Sequence, residues 1–158
     1  MTDDRLAQLV LKLEAEEAKR RAAREASDAE ARDRAQRLAD LQQLWPNKVS
    51  MTETLCAELN RALGETGCRL QLQDSTIMTA GEAVDPIEVS ICHSDRGRGS
   101  AMILRIRMNK GGEVFWSIGQ STGAVPIGKS DIADLDRAFL RARLVDLIEA
   151  EVGRNDSD

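Results

Sequence analysis

The chain has no tyrosine, and aromatic residues make up only 3% of its 158 positions. So few rings exclude a surface built on stacked bases or an interface anchored by aromatic side chains. The only histidine is His93, so no Ser-His-Asp grouping with a distinctive context can be assembled. Cys56, Cys68 and Cys92 are odd in number, and their spacing matches neither a disulfide framework nor a zinc site with its four ligands. They predict a reduced, cytoplasmic protein with no cofactor. No apolar run is long enough to span a membrane, and the opening Met-Thr-Asp-Asp is acidic where a signal peptide would be basic. The net charge of −5 gives the chain as a whole no attraction to nucleic acid or anionic lipid.

The rest of the composition is uneven. Residues 4–45 contain no proline and no glycine, and are rich in Ala, Glu, Arg, Leu and Gln, all strong helix formers. Glu16 and Arg20, Glu17 and Arg21, Glu30 and Arg34, and Asp33 and Arg37 stand four apart, a spacing worth ~0.2–0.5 kcal/mol per pair. Residues 1–45 therefore read as one long charged helix. Leu6, Leu9 and Leu13 at one end and Leu38, Leu41 and Trp45 at the other supply apolar steps. Between them stand only alanines, Ala15, Ala18, Ala22, Ala26 and Ala29, and no strict heptad survives Arg32 and Asp33. Such a helix is a solvated rod, a self-associating coiled coil, or an arm for another protein.

Trp45-Pro46-Asn47 is expected to end this helix, because the residue before proline is pushed out of the helical region. That places a domain boundary at 45/46. Ser50-Met51-Thr52-Glu53 fits a capping box for a helix over 51–63, closed by Gly64. Alternating patterns predict strands over 69–73, 87–92, 101–108 and 113–118, and Ser75–Ala80 continues the first or begins another. Asn109-Lys110-Gly111-Gly112 is the turn of a hairpin. Ser130 or Asp131 caps a last helix over 131–152, and 154–158 form a disordered tail. The fold class is α+β: a long N-terminal helix, then a two-layer domain over 46–153 in which two helices flank an antiparallel sheet.

Four stretches invite a chemical reading. Gly123–Ser130 matches the Walker A pattern, and on these eight residues alone it resembles a P-loop NTPase. That resemblance implies phosphate held by backbone N–H groups, with Lys129 on the phosphates. Pro126 has no N–H to give, and the chain after Ser130 is too short for further strands and an acidic magnesium partner. A loop running into a helix cap is the better reading. Cys92-His93 are neighbours on a strand, so they face opposite ways and do not converge on a metal. Arg96, Arg98, Arg105, Arg107 and Lys110 form a basic cluster opposed by Asp95 alone, suited to phosphate, nucleic acid or an acidic protein surface. In the last helix Leu140, Leu144 and Leu147 widen an apolar arc beyond what one sheet face covers, which points to a second surface.

These features predict a non-enzymatic assembly or adaptor protein. Its N-terminal helix forms a homo-oligomer or holds a partner protein, with no membrane attachment. The alternative is a nucleic-acid-associated protein using the basic hairpin at 96–110. Nucleotide binding through 123–130 ranks below both.

Overall fold

The computed structural model describes residues 2–74, 80–93, 101–120 and 126–155. In chain order it contains α1 (Thr2–Leu63), β1 (Cys68–Gln73), β2 (Ile87–His93), β3 (Ile103–Met108), β4 (Glu113–Gly119), β5 (Gly128–Asp131), a 3-10 turn (Ile132–Asp134) and α2 (Arg137–Asn155). The architecture is α+β. The chain divides into two compact units, Met1–Ala39 and Asp40–Asp158.

The helix break expected at Trp45-Pro46-Asn47 is absent: α1 runs through Pro46 to Leu63. A proline inside a helix costs ~3 kcal/mol. The larger effect is a stripe that keeps its phase across it. Leu41, Trp45, Val49, Thr52, Cys56, Leu59 and Leu63 recur at steps of three and four, and all are buried or half-buried. Each fully buried Leu is worth roughly 1.5–3 kcal/mol. Pro46 itself faces outward and is exposed. The turn just before the proline is also tied down. The Trp45 indole N–H donates to the Asp85 carbonyl at 2.9 Å, and the Gln42 amide donates to the Ala83 carbonyl at 2.8 Å. Ser50 is therefore not a cap. Thr52 and Thr54 instead donate their hydroxyls back to the carbonyls of Lys48 and Ser50, at 2.8 and 3.0 Å, as helix-interior threonines do. Gly64 does close the helix, with φ of 53° and its N–H on the Asn60 carbonyl at 3.1 Å.

The sheet has five strands in the order β1-β2-β3-β4-β5, and every pairing is antiparallel. Register puts Leu70 beside Ile91, Val89 beside Leu104, Ile106 beside Trp116 and Met108 beside Val114 on one face. The helices cover that face: Leu55 and Leu59 of α1 and Leu140, Leu144 and Leu147 of α2 join these strand residues in one core. The hairpin turn is built by Asn109, whose side-chain oxygen accepts from the N–H groups of Gly111 and Glu113 at 2.9 and 3.0 Å. Gly112 follows at φ 81°, and a Cβ there would run into Leu41 of α1.

Two boundaries differ from expectation at the C-terminal end. Gly128-Lys129-Ser130-Asp131 is a fifth strand rather than a loop, because it pairs with Glu113–Trp116 of β4. Asp131 does cap, but it caps the 3-10 turn, accepting from the Ala133 N–H at 3.2 Å. The α2 helix begins six residues later than expected, where Asp136 accepts from the Phe139 N–H at 2.8 Å. It runs on to Asn155, into the expected tail. Residues 75–79, the 94–100 connection, 121–125 and the last part of the tail, 156–158, lie outside the described residues.

Candidate functional site

In the Met1–Ala39 unit, every residue from Asp3 to Arg37 is exposed. Leu6, Leu9, Val10 and Leu13 stand at i, i+3, i+4 and i+7, so they form one aliphatic row on the helix. They are 63%, 52%, 45% and 68% exposed. Single exposed leucines need no explanation; these four are contiguous. The charged pairs expected along this helix, Glu16–Arg20, Glu17–Arg21, Glu30–Arg34 and Asp33–Arg37, are at the right spacing but form no ion pair among the described residues. Among the described residues no helix is long and apolar enough to cross a membrane.

The two arginines on β3 are held in ion pairs. Arg96 and Arg98 lie outside the described residues. Arg105 is only 5% exposed, and its Nε sits 2.8 Å from Oε1 of Glu88, with Glu82 at 3.9 Å. Arg107 reaches the same Glu82 carboxylate at 3.8 Å. Two buried carboxylates thus neutralise the two hairpin arginines, and of the described members of the cluster only Lys110 is exposed. The cross-strand register explains the pairing, since Glu88 of β2 stands directly opposite Arg105 of β3.

The end of the Walker-like stretch is built into the sheet. Gly123, Ala124 and Val125 lie outside the described residues, while Gly128, Lys129 and Ser130 are strand residues of β5. Lys129 bonds the Glu113 carboxylate and lies 5.9 Å over the Phe115 ring. That lysine, followed by Asn109, holds the Glu113 carboxyl below its usual range. Leu140, Leu144 and Leu147, expected at a second surface, are between 0% and 1% exposed within this chain's own core. The wide arc of α2 faces the sheet, and beside it Arg143 stacks on Trp116 of β4 and on Phe139, at 4.3 and 5.3 Å.

One grouping escapes a sequence reading. Register places Cys68 opposite His93 at the β1–β2 end, and the Cys68 sulfur lies 3.5 Å from Nδ1 and 3.3 Å from Nε2 of the ring. Glu151 of α2, 2% exposed, brings Oε1 to 3.5 Å from the same Nε2 and holds Arg154 at 3.1 Å. The only advance signal is that Glu151 continues the Leu140, Leu144, Leu147 stripe, where an apolar residue is expected. The geometry is not that of a nucleophile and its base. A sulfur nearly equidistant from both ring nitrogens lies in line with neither N–H, and the carboxylate contacts the same nitrogen rather than the far one. No three His, Cys, Asp or Glu side chains among the described residues are arranged to hold a metal ion. Cys56 lies on the buried face of α1, and burial, with Glu53 nearby, pushes its thiol up to about 11. It therefore stays protonated and unreactive at neutral pH.

Comparison with known proteins returns no match: no family model, curated protein or solved structure corresponds to the chain.

Proposed function

We propose that the chain is a non-enzymatic assembly or adaptor protein of the cytoplasm, with Met1–Ala39 as its docking segment and Asp40–Asp158 as the folded body attached to it. The observation that carries this reading is the exposed row Leu6, Leu9, Val10 and Leu13. Aliphatic surface left in water forgoes roughly 25 cal/mol for each Å² that a partner would cover. Within the body, Arg105, Arg107, Leu140, Leu144 and Leu147 are committed to internal ion pairs and to the core. Three free cysteines support a reducing compartment.

The test is the molar mass of the full chain in solution, by light scattering, beside a Leu9→Asp/Leu13→Asp variant. Both positions lie outside the core, so circular dichroism should show the same fold. The wild type is expected above the 17.4 kDa of one chain and the variant at it. Equal masses for the two proteins sink the reading.

A further inference from the structure

We propose that the partner of the exposed row is the same row on a second copy, with the two helices parallel and in register over residues 3–17. The inference rests on the docking role just described and specifies its occupant. Placing Leu6 and Leu13 at heptad position a and Leu9 at d puts Arg5 and Lys12 at g, with Asp3, Val10 and Glu17 at e. One flank of the row is therefore basic, and the other is acidic and aliphatic. In a parallel pair each g residue faces the e residue five places further along the partner helix. Arg5 then lays its aliphatic stem against Val10, and Lys12 meets Glu17, each contact occurring twice by symmetry.

The alternative arrangement fails on charge. An antiparallel pair sets g against g and e against e, which brings the column Arg5, Lys12 and Lys19 against its own copy and the carboxylates of Asp3 and Glu17 toward their own copies. Like charges across such a seam are destabilising. Lys12 and Glu17 are both exposed and form no ion pair within their own chain among the described residues, so no formed pair there has to break for the cross-helix one. The seam ends after Leu13, since Glu16 and Arg20 occupy the next d and a positions and Lys19 would face Arg24. A contact this short gives a reversible, concentration-dependent dimer.

The experiment uses full-length chains carrying Lys12→Glu or Glu17→Lys, studied by sedimentation equilibrium alone and as an equimolar mixture, beside the Leu9→Asp/Leu13→Asp chain. Each single reversal sets like charges across both flanks, and should weaken self-association roughly tenfold at low salt. The mixture should recover wild-type affinity. In the mixed pair the carboxylate introduced at position 12 of one chain faces the ammonium introduced at position 17 of the other, and the native Lys12 faces the native Glu17. The difference should fade in molar salt. A mixture no tighter than its components, with the leucine variant still monomeric, overturns the parallel pairing and leaves the docking role standing. A leucine variant that associates as the wild type does removes both.

Discussion

The side-chain amide of Asn60 forms two hydrogen bonds with the backbone of Leu70: its NH₂ donates to the Leu70 carbonyl at 2.9 Å, and its oxygen accepts the Leu70 N–H at 2.8 Å. Leu70 sits in β1, one of the two outer strands of the sheet. Asn60, near the end of α1, thus stands where the peptide of a further strand would stand. It satisfies the backbone groups that make an open edge a template for pairing with other chains. Asn60→Leu is expected to cost about 1–3 kcal/mol in urea unfolding, the penalty for leaving two partly buried backbone groups unpaired. It should also raise light scattering at high concentration. A change below about 0.5 kcal/mol would show that water replaces the amide without loss.

Arg105 is the centre of the polar face of the sheet. Arg105→Met removes the positive charge between Glu82 and Glu88, both nearly buried. Breaking such a pair on one side costs about 3–5 kcal/mol. Adding Glu82→Gln and Glu88→Gln to that variant should recover much of the loss, because both buried carboxylates are then neutral and only the half-buried Arg107 loses a partner. Equal stability of the single and triple variants would contradict this account.

Gly128 faces the indole of Trp116, and any Cβ placed there overlaps the ring. Gly128→Ala is expected to destabilise by roughly 1–3 kcal/mol through forced repacking, with a change in tryptophan fluorescence. Lys129→Ala removes an exposed ion pair and an exposed contact with the Phe115 ring, and should cost less than Gly128→Ala. The reverse order would mean that the lysine, not the glycine, is the residue this stretch depends on.

Glu113 provides a pH signature. Its folded carboxyl is held below the usual 4.5 by Lys129 and Asn109. Its contribution to stability is therefore complete above pH 4.5 and is lost as the pH falls through the lowered folded value. The thermal midpoints of wild type and Glu113→Gln should differ at neutral pH and converge on acidification. A gap that persists or widens in acid would contradict the pairing.

The hairpin was legible in the sequence because local rules suffice there: Ile103–Met108 and Glu113–Gly119 alternate, and Asn109 with Gly112 builds the turn. Pro46 misleads because its local preference opposes a stripe that runs from Leu41 to Leu63, and that stripe is visible only when the phase is followed through the proline. Strand β5 carries no apolar pattern in Gly-Lys-Ser-Asp; its place is set by Trp116 and Glu113 on the neighbouring strand. Arg105 and Arg107 read as free positive charges because Glu82 and Glu88 reach them only through the register of the sheet. Glu151 was hidden for the same reason, since its contact with His93 joins elements far apart in the chain. The row Leu6–Leu13 was readable from the start, because helical spacing alone defines it.

The most direct measurement is amide hydrogen exchange of the full chain at low and high protein concentration, read on the peptides that cover residues 3–17. Backbone bonds in a helix with no tertiary cover open readily. Pairing through Leu6, Leu9 and Leu13 predicts slow exchange there that strengthens as concentration rises, while the β3–β4 peptides stay equally protected throughout. Fast exchange over 3–17 that is the same at both concentrations would contradict the claim that this helix is an assembly segment.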